Sequence, residues 1–219
     1  INSAGHDDLI TRGHGTMKEP WNFNSYFEYE RPRKGNWDHE LSAELYLGGL
    51  DGDRGLGYSI EYEPTYYLND AFNVYVGLFG SRTPSWLLWQ YDNIVGSFDG
   101  SELHFNMGFN WIISNRQELR LKVQAISVEG DAKKAYEVTS SGDPVEVGLA
   151  LDDFGVSNLG IQLRYRYELA PLSYLYIVYG RGGYEEEFET DGPDRRLRDT
   201  FSLRDDEQLF VKLSYRFQR

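Results

Sequence analysis

The chain contains no cysteine, which removes disulfide frameworks, thiolate metal sites and cysteine nucleophiles at once. That absence is compatible with the periplasm and the outer membrane but does not fix a compartment. No run approaches the roughly 18 apolar residues that a transmembrane helix needs, so membrane insertion would have to be made by closed β-structure. Basic residues are the minority: 22 Lys and Arg stand against 35 Asp and Glu, a formal net charge of −13. Affinity for nucleic acid is supplied by clustered Lys and Arg, so nucleic acid is not expected as a partner. His6, His14, His39 and His104 show no metal-ligand spacing, and there is no phosphate loop or dinucleotide fingerprint. No metal or cofactor is expected.

Aromatic residues, in contrast, are abundant. They make up 16% of the 219 residues, with 17 Tyr and 5 Trp, and sheets favour them. Apolar/polar alternation recurs along the chain, the mark of strands with two unlike faces. In the first segment, Trp21 to Tyr29, Trp21, Phe23, Phe27 and Tyr29 oppose Asn22, Asn24, Tyr26, Glu28 and Glu30. Leu41, Ala43, Leu45 and Leu47 then alternate with Glu40, Ser42, Glu44 and Tyr46. Leu56, Tyr58, Ile60 and Tyr62 alternate with Ser59, Glu61 and Glu63, and Phe72, Val74, Val76 and Leu78 with Asn73, Tyr75 and Gly77. The cleanest stripe is Leu103, Phe105, Met107, Phe109, Trp111 and Ile113, opposite His104, Asn106, Gly108 and Asn110. Leu119, Leu121 and Val123 face away from Glu118, Arg120 and Lys122, and Leu163, Tyr165 and Tyr167 from Arg164 and Arg166. Leu172 to Arg181 is apolar on both faces, so its orientation is not assignable by period. Leu209, Val211, Leu213, Tyr215 and Phe217 oppose Lys212, Ser214 and Arg216.

Nine strands in one domain over residues 1–219 are therefore expected, with 1–20 as a lead-in on the extracellular side and 21–217 carrying the strands. Short turns such as Asn69-Asp70, Ser114-Asn115-Arg116 and Ala170-Pro171 alternate with mostly long connections: 48–55, 80–102, 129–158 and 182–207. Tight turns at one rim and long polar loops at the other are the pattern of an outer-membrane barrel. The fold expected is all-β, an antiparallel transmembrane β-barrel in the bacterial outer membrane, with lipid against its apolar face. Such barrels normally have an even strand number, and the chain opens Ile1-Asn2-Ser3 with neither initiator Met nor signal peptide. Further strands upstream, or a partner chain, are expected to complete a larger barrel. The same alternation also suits a soluble lipocalin-like barrel with its apolar residues inside.

The segment Leu209-Phe210-Val211-Lys212-Leu213-Ser214-Tyr215-Arg216-Phe217 resembles the terminal-strand signal read by the barrel insertion machinery, although Gln218 and Arg219 follow the final aromatic and Lys212 stands where a small residue is common. Asp7-Asp8-Leu9-Ile10-Thr11-Arg12-Gly13, Leu163-Arg164-Tyr165-Arg166-Tyr167-Glu168-Leu169 and Val178-Tyr179-Gly180-Arg181-Gly182 resemble the C-terminal barrel of uncharacterised Gram-negative proteins whose N-terminal half is similar to a family-nine carbohydrate-binding module. The resemblance implies an upstream sugar-binding domain and brings no catalytic motif.

The polar faces are sorted by charge. Glu28, Glu30, Glu40, Glu44, Glu61 and Glu63 fall on the first three strands, and Arg120, Lys122, Arg164, Arg166, Lys212 and Arg216 on the sixth, seventh and ninth. Facing one lumen, they would either set a transverse field for a polar solute or pair and plug the interior. Trp86, Trp89 and Tyr91 are expected in an aromatic girdle at the outer rim, with a sugar-stacking platform as the alternative. Asp152-Asp153 and the acidic run 185–191 lack calcium-loop spacing and read as solvated loop charge. Two functions remain open: a non-enzymatic membrane module that anchors a sugar-binding domain and passes a polar solute, and an outer-membrane hydrolase with a site at the extracellular rim.

Overall fold

A computed structural model describes residues 1–217, so Gln218 and Arg219, which follow the terminal-strand motif, lie outside the described residues. The fold is all-β. A two-stranded sheet pairs β1 (Gly5–Asp7) with β2 (Met17–Glu19) inside the segment expected as a lead-in. The main sheet is an antiparallel meander of nine long strands: β3 (Phe23–Lys34), β4 (Trp37–Gly48), β5 (Gly55–Asn69), β6 (Phe72–Tyr91), β7 (Ile94–Ser114), β8 (Gln117–Val138), β10 (Phe154–Ala170), β11 (Ser173–Glu187) and β12 (Asp206–Ser214). The short β9 (Pro144–Val147) adds to β8. β3 and β12 are the sheet's two edges. Among the described residues no pairing joins them.

Turn chemistry holds the meander together. Gly35 takes a positive φ between β3 and β4, and Asn69 Oδ1 accepts the amide of Ala71 between β5 and β6. Antiparallel partners share a face, so the register decides which stripes coincide. Leu45 opposes Tyr58, Tyr58 opposes Arg82, Leu78 opposes Phe105, Phe105 opposes Ala125, and Ala125 opposes Leu159. Every apolar stripe thus lies on one face. The register also orients β11, which alternation left open: Leu175, Ile177 and Tyr179 join the apolar face, Tyr174, Tyr176 and Val178 the charged one.

Two of the long connections are largely strand. Residues 80–102 form the upper halves of β6 and β7, joined at Asp92-Asn93, and 129–158 contain the upper part of β8, β9 and the start of β10. Above the apolar stripe both faces are polar or mixed, and bulges between Thr83 and Trp86 and between Ser97 and Phe98 shift the register by one residue. A ladder of backbone hydrogen bonds continues there without apolar alternation to announce it.

The third long connection holds α1 (Pro193–Thr200), which packs on β7, β8 and β10. Pro193 opens the helix, where its missing N–H costs nothing. Arg196 is 4% exposed. Its Nε donates to Glu129 Oε1 at 2.8 Å, Nη1 to Glu187 Oε2 at 3.0 Å and Nη2 to the Glu189 carbonyl at 2.8 Å. A Cβ at Gly155 would overlap that guanidinium. The helix lies on the same face as the apolar stripe, above it, and Phe201 reaches down to Phe105 with ring centroids 5.6 Å apart. A small core of Met17, Leu50, Val95, Tyr136 and Val138 closes the upper end.

Glycines crowd the other face. Tyr75 lies across Gly108, Glu63 over Gly77, Trp86 over Gly100 and Phe154 over Gly130. Gly108→Ala should destabilise the fold by about 1–3 kcal/mol, because the added Cβ meets the Leu121 carbonyl and the Tyr75 ring. Gly160→Ala, with open space around its Cβ, should be close to neutral in the same urea melts. Glu129→Ala strands most of the Arg196 charge and should cost about 3 kcal/mol, the low end for a broken buried pair because Glu187 remains. An equal effect from Asp194→Asn, whose pair with Arg198 is exposed, would show that the buried pair is not what fastens α1.

Candidate functional site

The charged face carries the candidate site. Glu30 lies opposite Glu40 and Glu40 opposite Glu63, while Ser42 separates Glu28 from Glu61 and Glu44 sits beside Tyr26 and Ser59. Carboxylate oxygens of Glu28, Glu30 and Glu40 come within 4.8 Å of one another. Directly opposed like charges destabilise a sheet, and these three are exposed, so water screens them. Glu44 accepts a hydrogen bond from Asn24 Nδ2. Among the described residues none of the six glutamates pairs with Lys or Arg.

Strands β6 and β7 separate this acidic wall from a basic one. Their charged-face positions include Asn73 and Asn110, whose side chains hydrogen-bond at 3.0 Å. On β8 and β10, Arg120 lies opposite Arg164, Lys122 opposite Gln162 and Glu118 opposite Arg166. Lys212 reaches the same row through Tyr176. Glu118 bonds Arg120 and also Arg166, the latter at 3.0 Å, and the Arg166 guanidinium stands 5.7 Å from the Tyr174 ring centroid. Glu118, Arg120, Arg164, Arg166 and Tyr176 line a cleft of about 240 Å³. The expected segregation of charge is present, but no ion pair joins the two walls among the described residues. Arg216 departs from expectation: β12 ends at Ser214, and the Arg216 amide donates to Ser173 Oγ at 3.0 Å beyond the strand.

The rim aromatics do not form one ring or one platform. Trp86 pairs with Phe98 and packs on Phe154 on the charged side, whereas Trp89 pairs with Val95 on the opposite face, stacked on His14 at 5.9 Å and under Arg12 at 4.9 Å. Three residues apart on a strand, the two indoles must point to opposite sides. Tyr91 ends β6 at the hairpin tip and is exposed. Part of the acidic loop charge is structural too: Asp153 accepts the Ala132 amide at 2.7 Å and Glu187 holds Arg196.

One cluster had no sequence signal. Asp53, Ser97 and Lys133, far apart in the chain, meet where β8 bulges: Ser97 Oγ and Lys133 Nζ both donate to the Asp53 carboxylate, and Nζ also donates to the Pro84 carbonyl at 2.7 Å. Ser97 is fully buried and its hydroxyl is spent on Asp53. The cluster pins the 48–55 connection to the wall and exposes no nucleophile. Glu118 was legible as a polar-face residue of its strand, and its place between two arginines follows from the β8–β10 register alone.

Two rim carboxyls titrate below their ordinary range. A hydrogen bond from Arg82 holds Asp99 low, and hydrogen bonds from Lys18 and then Ser141 do the same for Asp143. A depressed folded value stabilises the protein above the unfolded value, near 3.8, and that contribution is lost as pH falls through the lower folded values. These two groups should leave melting temperature unchanged between about pH 5 and 7 and contribute to a loss below about pH 4. Arg82→Gln should shrink the acid limb of that profile, and an unchanged acid limb would show that the Arg82–Asp99 pair contributes nothing.

No family model matches the chain, and no curated protein or solved structure matches it.

Proposed function

We propose that the sheet is the wall of an outer-membrane β-barrel whose charged face lines a water-filled interior and passes a polar solute. The observation that carries this is the coherence of the apolar face: stripes from nine strands share it, and it is open on β3, β5 and β6, with Phe27 56%, Ile60 52% and Leu78 51% exposed, while Val123, Ala125 and Leu159 on β8 and β10 are buried. Exposed apolar side chains grouped on one face in this way mark a surface that is covered in use, and lipid would cover it. Trp37, Tyr66, Phe72 and Trp111, aligned near the short turns, suit an interfacial belt. The glycine-rich charged face, where large side chains lie across neighbouring strands, suits the concave side of a curved sheet. β3 and β12 run in the same direction, so antiparallel closure takes an odd number of additional strands between them.

A soluble barrel with the apolar face inside has one observation in its favour: α1 and the Met17–Val138 core sit on the apolar side, as a cap over an interior would. The test separates the two. Met107→Arg, in the middle of the β7 stripe, should cost about 2–4 kcal/mol of stability in lipid, and the wild type should partition into detergent or vesicles. A monodisperse protein that needs no detergent would overturn the membrane proposal in favour of the soluble barrel.

A further inference from the structure

We infer that the arginine cleft on β8 and β10 is a binding site for a small dianion bearing a phosphoryl or paired carboxylate group. The β8–β10 register places Arg120 and Arg164 directly opposite each other, with Cβ atoms roughly 4.5–5.5 Å apart for such a pair. Like charges so placed repel unless an anion lies between them. Among the described residues one carboxylate lines the cleft: Glu118 is shared between Arg120 and Arg166. Arg164 makes no ion pair among the described residues. Three guanidinium groups against that one carboxylate leave a surplus of two positive charges beside the Tyr176 ring, in a cleft of about 240 Å³.

The size and the charge select the ligand class. A cleft of that volume admits a phosphate or a short dicarboxylate, and two negative charges match the surplus. Guanidinium forks bind planar or tetrahedral oxyanions through two parallel hydrogen bonds, which chloride cannot accept. The cleft stands on the charged face, separated from the acidic wall by β6 and β7, whose charged-face residues at the height of the cleft are the uncharged Asn73, Tyr75, Gly108 and Asn110, so an anion there is not repelled at close range.

The inference rests on the proposed function only in that this face is open to water. The full chain, purified and folded in detergent, would be titrated with inorganic phosphate and separately with succinate, each against sodium chloride at matched ionic strength. Thermal unfolding and calorimetry would be read together. Saturable binding and a rise in melting temperature with phosphate or succinate, absent with chloride, is the expected result; the tighter of the two names the chemistry. Arg164→Gln should raise the melting temperature in chloride, because it relieves the repulsion, and should weaken the dianion at least about tenfold. Arg164→Lys, which keeps the charge and loses the fork, should fall between. Equal effects of all three salts, or dianion binding that survives Arg164→Gln, would overturn the site while leaving the barrel standing. A detergent-independent protein that binds phosphate through Arg164 would remove the barrel and keep the site.

Discussion

The register of the meander is the constraint on which the rest depends. In a pleated strand successive side chains alternate between faces, and antiparallel partners share a face, so parity chosen on one strand is transmitted to the next. A slip of one residue at any turn would send every later apolar stripe to the charged side. The short turns after Lys34, Asn69, Ser114 and Ala170 prevent that slip at one end of the sheet. At the other end the connections vary freely in length because the paired strands, already in register, carry the parity across.

Much of this was legible in the sequence, and the limits have physical causes. Eight of the nine long strands and the short turns follow from alternation and turn chemistry, because burial of one face writes itself into the residue order. Alternation disappears where both faces meet similar surroundings. The upper halves of β6 and β7 therefore read as loop, and β11 read as a strand without a face. The aromatic cluster at Trp86 and Trp89 misled for a related reason: proximity in sequence suggested a shared surface, while the strand put the two rings on opposite sides. Arg196, Asp53, Ser97 and Lys133 were beyond reach, since their partnerships depend on bulges and on a helix folding back, which no periodicity encodes.

Apart from Glu118, which pairs with Arg166 across the β8–β10 boundary, charge on the polar face is sorted rather than mixed. Mixed charges would pair across strands and strengthen the sheet, as opposite-charge neighbours do. Glu30, Glu40 and Glu63 are instead aligned in one row, and Arg120 faces Arg164 in another. Each arrangement costs stability that water and counter-ions only partly restore. The polar face thus carries charge that cross-strand pairing largely leaves unused.

The height of the β6–β7 hairpin has a consequence for how this end of the molecule is met from outside. The apolar stripe of β7 stops at Leu103, yet the strand continues to Ile94, roughly 30 Å further at the usual rise per residue. What projects there is a stiff wall braced by β8, by the core around Val95 and Tyr136 and by a fastened helix. An antibody or any other large ligand would encounter residues brought together from distant parts of the chain. Its footprint would be conformational, lost on denaturation, and no linear peptide cut from this region would reproduce it.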